Sequence, residues 1–240
     1  LPDKSGSQID CQIIDMVEVL SLAPHPELRL DRERIESEQP VLLVMDYAFG
    51  EQAFEVMDEL LYPWEVNGES HMLNTRSISV IGKAGILPGK KGDIMLATAH
   101  VLEGTPHNYI IRNDLNRSDF GDPDFNEHIG IYTGPLITVL GTSLQNRYVL
   151  KKFQDSTWGA VGLEMEGGHY QRAINAAFIR GHISGDIKIM YAYYASDNPL
   201  KSGQTLASGS MGEEGVRPTY LITRRILEKI LGPCPATHGR

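Results

Sequence analysis

From Val41 onward, short continuous apolar runs alternate with stretches whose apolar residues recur every three or four positions. Val41-Leu42-Leu43-Val44-Met45 is such a run, as expected of a strand covered on both faces. Glu51 to Leu61 then carries Phe54, Met57, Leu60 and Leu61 on one helical stripe. Ser77 to Ile81 predicts the next strand, which runs into Gly82-Lys83-Ala84-Gly85, a sequence that reads as a tight turn. Further strands are expected over Asp93–Ala99, Leu136–Leu140, Ala160–Met165 and Ile187–Ala195. Helices are expected over Arg147–Phe153, Gly167–Arg180 and Thr219–Leu231, and polar loops over Pro63–Asn74 and Asn113–His128. Upstream the pattern differs. Ile9 to Leu22 has helical spacing, Ala23-Pro24-His25-Pro26 breaks it, and Asp31 to Glu38 reads as a charged connector.

Strands alternating with helices point to an α/β domain, a largely parallel sheet wrapped by helices. Ligands in such sheets collect where strands end at their carboxyl side. Three stretches are expected there: Gly82–Gly85, Glu164–Gly168 and Ser196–Leu200. The 240 residues suffice to bury a full core as one domain. A formal net charge of -9 repels phosphate backbones and anionic membranes, so nucleic-acid polymers and membranes are not expected partners. No apolar run reaches spanning length, and no basic-then-apolar signal segment opens the sequence. Cys11 and Cys234 stand alone, which fits a reducing cytoplasm.

Each candidate for chemistry has a plainer reading beside it. Gly82 and Gly85 allow close backbone approach and Lys83 can hold an anion, yet the spacing is neither a dinucleotide nor a Walker loop. Glu164 and Glu166 flank Met165 at a strand end and, on a strand, would share one face; the alternative is two solvated glutamates favoured by a helix start. Asp197 follows a buried strand, where an acid can protonate a ligand; Ser196-Asp197-Asn198-Pro199 is equally ordinary turn material. His100, His107, His128 and His169 share no metal-ligand spacing, and no metal or cofactor is expected. His169 lies behind the glycine pair, near the same pocket, and is expected in a structural role.

Taken in order, three segments resemble the nucleoside phosphorylase and nucleosidase superfamily over roughly Val41 to Leu231. They are Ser79-Val80-Ile81-Gly82-Lys83-Ala84-Gly85-Ile86-Leu87 with Lys91-Gly92-Asp93-Ile94, then Gly162-Leu163-Glu164-Met165-Glu166-Gly167, then Tyr194-Ala195-Ser196-Asp197-Asn198-Pro199-Leu200. The Pro-Leu extension is most like the AMP nucleosidases. The resemblance implies a three-layer α/β/α fold with a central, largely parallel mixed sheet. It also implies an organisation of N-terminal helix and connector over 1–40, catalytic domain over 41–232 and tail over 233–240.

Carried over residue by residue, the resemblance makes Glu166 the acceptor of the ribose hydroxyls and Met165 the packing surface for the sugar. Asp197 donates a proton, or a strong hydrogen bond, to N7 of a purine, and Ser196, Asn198, Glu164, Gly82, Lys83 and Gly85 line the site. Leu144 and Gln145 fall where the family supplies base-facing side chains. The implied reaction is hydrolysis of the N-glycosidic bond of a purine nucleoside or nucleoside 5′-monophosphate. As cations, Lys83, Lys90, Lys91 and Arg147 are candidates for a 5′-phosphate, and a solvated surface is the plainer reading of Lys90 and Lys91. Hexameric phosphorylases place an Arg where Val80 stands, and its loss favours water as nucleophile. The family's first strand and its hairpin, with the water-activating Glu of the nucleosidases, have no counterpart in residues 1–40; Asp46 and Glu51 are the replacement candidates. A phosphate-dependent phosphorylase and a catalytically inactive nucleotide-binding module are the alternatives, and a homo-oligomer is expected.

Overall fold

The computed structural model describes residues 9–121, 128–141, 146–201 and 213–233. They divide into two compact units, one taking the residues up to Ala48 together with those from Thr223 on, the other running Phe49–Ile222.

In the first unit, β1 (Cys11–Asp15) pairs antiparallel with β2 (Val41–Met45), Ile13 opposite Leu43. The single helix expected over Ile9–Leu22 is therefore a strand followed by one short turn, α1 (Met16–Val19). Asp15 sets the switch, because its side chain accepts from the Val17 N–H at 2.8 Å and caps the turn. The connector contains a helix, α2 (Arg32–Glu38), capped by Asp31 and ended by Gln39 in the left-handed region at φ 48°. Its one apolar side chain, Ile35, is buried with Met16 and Leu231. β2 departs from the expectation of a strand covered on both faces: Val41 and Val44 are 58% and 50% exposed.

The second unit is built on a sheet that closes on itself. Its elements are α3 (Gln52–Leu61), a small hairpin of β3 (Trp64–Val66) and β4 (Glu69–His71), β5 (Ser77–Ile86), β6 (Ile94–Leu102), β7 (Asn108–Ile110), β8 (Ile131–Thr138), α4 (Arg147–Asp155), β9 (Gly162–Glu164), α5 (Gly167–Arg180) and β10 (Lys188–Asp197). A last helix, α6 (Glu213–Leu231), follows, and its residues from Thr223 on belong to the first unit. Strand order is β10-β5-β9-β8-β6-β7, and β6 also pairs with β10, Tyr193 opposite Met95. The long ladders β5–β10 and β6–β8 are parallel, while β5–β9, β6–β10 and β6–β7 are antiparallel. The result is an α/β unit with a central mixed sheet, as expected, but the β6–β10 pairing closes that sheet into a barrel.

Two local features allow the closure. Gly82–Gly85 is not a turn: β5 continues straight through it, with Val80, Gly82 and Ala84 buried and Ser79 and Lys83 exposed. Small residues at alternate positions bring the crowded face of β5 close to its neighbours. At Gly162 a Cβ would lie 2.5 Å from Met95 Sδ and 2.8 Å from the Gly85 carbonyl, so only glycine fits the crossing of β9 over β5. α3 packs along α5, and α5 leans on β6 and β8. Among the described residues no helix is long and apolar enough to cross a membrane.

Candidate active site

Pairing register brings the three motifs together. Asp197 on β10 lies opposite Gly85 on β5, and Gly85 lies opposite Leu163 on β9, one residue before Glu164. The β10 ladder slips between Ala195 and Asp197, and this bulge re-aims the end of the strand. Ser196 Oγ then donates to Asp197 Oδ1 at 2.7 Å and reaches the Ala84 carbonyl at 3.4 Å. Asp197 is wholly buried, and its Oδ2 has no hydrogen-bond partner. A buried carboxyl oxygen left without a hydrogen-bond partner costs about 1–3 kcal/mol.

Glu164 and Glu166 do not share a strand face. β9 ends at Glu164, and Glu166 is the residue that precedes the first turn of α5. Such a residue ordinarily caps its helix with its own side chain, but Glu166 makes no capping bond. The capping falls to two other residues. Glu164 Oε2 accepts from the Glu166 N–H at 2.8 Å and also from the Gly167 N–H, while its Oε1 accepts from the Thr138 hydroxyl. Thr138 Oγ1 in turn accepts from the Gly168 N–H at 3.0 Å. Burial pushes the Glu164 carboxyl up to about 7 against the pull of these donors. Glu164 thus serves the backbone, and the Glu166 side chain is spared from capping its own helix.

The Glu166 carboxylate is nearly buried, and its Oε1 accepts from the Gly50 N–H at 3.2 Å. Burial raises its pKa; the Gly50 and Met165 N–H groups and the charge of Lys83 oppose the rise. Lys83 projects from the exposed face of β5. Met165 is half-buried against the cluster of Leu87, Ile137, Val139, Leu150 and Leu163. Asn198 is fastened inward: Nδ2 donates to the carbonyls of Leu87 at 3.1 Å and Gly89 at 2.9 Å, and Oδ1 accepts from the Leu200 N–H. It holds the loop after β5 against the end of β10. Leu144 and Gln145 lie outside the described residues.

The glycine pair and side chains from distant parts of the sequence shape this arrangement. A Cβ at Gly167 would strike the Tyr193 hydroxyl and lie 2.5 Å from His100 Nε2; one at Gly168 would strike Leu102 and lie 2.6 Å from Thr138 Oγ1. The glycine pair is what lets α5 start directly against the barrel. His100 beneath it is fully buried, with Nε2 3.1 Å from the Tyr193 hydroxyl, and burial drives its pKa down to about 3, so it is neutral. Gly167-Gly168 was the only local hint of this contact; Gly50, Thr138, His100 and Tyr193 come from distant sequence. A cavity of about 530 Å³ with Lys90, His128 and Lys201 in its wall includes neither Glu166 nor Asp197. No cluster of His, Cys, Asp or Glu able to hold a metal occurs among the described residues.

The family described as "Family of unknown function (DUF6909)" matches residues 1–232. No curated protein matches the sequence. Among solved structures the chain is similar to a 5′-methylthioadenosine/S-adenosylhomocysteine nucleosidase from Colwellia psychrerythraea 34H in complex with adenine, with a TM-score of 0.55 and 13% identity over 83% of this chain and 82% of that one. It is similar to a futalosine hydrolase mutant of Helicobacter pylori strain 26695, with a TM-score of 0.50 and 14% identity over 79% and 80%. For AMP nucleosidase from Bacteroides thetaiotaomicron the TM-score is 0.49 and the identity 18%, over 78% and 73%. The chain has the fold of the nucleoside phosphorylase and nucleosidase superfamily.

Proposed function

The chain belongs to the DUF6909 family, and for it we propose hydrolysis of the N-glycosidic bond of a purine nucleoside or nucleoside 5′-monophosphate, releasing free base and ribose or its phosphate. One observation supports the reading: Asp197, wholly buried with an unpartnered Oδ2, pairs with Gly85 on β5, and Gly85 in turn pairs with Leu163, three residues before Glu166.

Breaking C1′–N9 builds positive charge on the sugar and negative charge on the base, so a catalyst must answer both. Glu166, held by the Gly50 N–H, accepts hydrogen bonds from the ribose hydroxyls and offsets charge on the sugar. Met165 packs against the sugar. Asp197, oriented by Ser196, delivers a proton to N7 as the bonding pair moves onto the purine. The adenine bound by the Colwellia enzyme supports a purine as the leaving group. Val80 is a buried apolar residue on β5, which supports water rather than phosphate as the acceptor. Lys83, a cation on the exposed face of β5, is the residue assigned to a 5′-phosphate, as a point charge.

Base release from adenosine, inosine, methylthioadenosine, AMP and IMP, each with and without inorganic phosphate, tests the reading. Release without phosphate is expected. Release that depends on phosphate makes the protein a phosphorylase, and nucleotide binding with no release from any of them leaves a binding module.

A further inference from the structure

Hydrolysis at C1′ leaves one requirement unassigned: water attacking an oxocarbenium-like carbon must lose a proton, and a positioned base accelerates this step. Glu166 is committed to the sugar in the proposed reaction. Glu164 is saturated by Thr138 and two backbone N–H groups. His100 is sealed beneath the glycine pair with Nε2 against Tyr193. Lys83 is a cation. We propose, on the hydrolase reading above, that His169 is the base that takes the proton of the attacking water, and that Glu51 steadies the imidazolium this creates.

His169 is the third residue of α5, and Glu166 immediately precedes that helix, so the two lie within one turn of each other along the chain. Its backbone N–H donates to the Glu166 carbonyl at 2.9 Å, which ties its position to that residue. The side chain is 2% exposed, yet Nδ1 has no hydrogen-bond partner. A buried ring nitrogen without a partner is costly to keep in a core and useful beside a substrate. Glu51 arrives from another element: it directly follows Gly50, whose N–H binds the Glu166 carboxylate, and it precedes the first turn of α3. α3 and α5 are clamped together, with the Arg172 guanidinium 4.4 Å above the Phe54 ring.

The groups acting on His169 set its state. Burial lowers its pKa first, the negative charge of Glu51 opposes that, and Arg172 on its own helix adds to the lowering. The ring is therefore neutral at neutral pH and able to accept a proton. In the reaction, the water oxygen bonds to C1′ as C1′–N9 breaks. The bonding pair goes to the purine, N7 takes the Asp197 proton, and the water proton goes to His169. Solvent then takes the proton from His169 and returns one to Asp197, so that nucleoside plus water gives base plus ribose.

The test is kcat and KM across pH for wild type, His169→Gln and Glu51→Gln on whichever panel substrate the wild type cleaves. His169→Gln is expected to lower kcat about 100-fold with little change in KM, a typical size for loss of a base, and to remove the acidic limb of the profile. Glu51→Gln, at an exposed position, is expected to lower kcat and to move that limb to lower pH, because the group that raised the His169 pKa is gone. Wild-type turnover with His169→Gln folded, within threefold of wild type and with the limb intact, overturns the proposal and leaves the hydrolase reading standing. If His169→Gln fails to fold by circular dichroism, an unmoved limb in Glu51→Gln overturns it equally. No cleavage by the wild type removes both.

Discussion

The Thr138 hydroxyl donates to Glu164, and between them these two side chains take up the N–H groups of Glu166, Gly167 and Gly168 at the start of α5. Helix starts leave such donors without partners inside the helix. Here a strand residue and a strand-end residue supply the acceptors, which frees Glu166 from capping its own helix.

Thr138→Val preserves shape and removes both bonds of the hydroxyl. It is expected to cost about 1–3 kcal/mol of stability, the usual penalty for stranding a buried donor, measured by urea unfolding. Base release should fall with it, since the Glu166 turn loses its anchor.

Glu164 also sets a pH dependence. Burial pushes its carboxyl up from the ordinary 4.5 to about 7. A carboxyl raised in the folded state binds its proton more tightly there than in the unfolded chain. The stability this gives is complete below about pH 4.5 and is lost as pH rises through about 7. Wild-type stability is thus expected to decline over that window, and Glu164→Gln should flatten the decline. An unchanged slope in the variant would assign the dependence elsewhere.

Gly167→Ala drives a methyl into the Tyr193 hydroxyl and His100. Overpacking of this kind costs roughly 1–3 kcal/mol. The expected result is a lower denaturation midpoint with an unchanged m-value, and loss of activity out of proportion to the loss of stability, because Glu166 immediately precedes the displaced turn.

Lys83 tests the electrostatics of the proposed ribose site. Its charge holds the Glu166 pKa down against burial. In Lys83→Met the Glu166 pKa should rise, so the pH below which KM climbs should move upward. An unmoved KM profile would show that Lys83 does not act on Glu166 in solution.

Much of the second unit was readable from spacing alone. The stripe of Phe54, Met57 and Leu61 and the run from Ile187 to Ala195 became α3 and β10 because each pattern suits only one element. Other segments were ambiguous locally. Ile13 and Ile14 fit a helix or a strand equally, and pairing with β2 together with the Asp15 cap decides for a strand and then a turn. Gly82 and Gly85 signal a turn in isolation, and only the crowding inside a closed sheet makes them strand residues. Closure itself rests on β6 meeting β10 across about 100 residues of chain, which no local pattern records. Of the candidate site, Glu166, Asp197 and Ser196 stand in recognisable motifs. The division of labour between Glu164 and Glu166 was not legible, because it depends on Thr138, 26 residues away.

The most direct measurement compares free-base release by wild type and Asp197→Asn on the best purine substrate without phosphate, with folding of both checked by circular dichroism. The account predicts release by the wild type and a loss of roughly 100-fold or more in kcat for the variant, since asparagine offers N7 no transferable proton. Equal release by both proteins would contradict it.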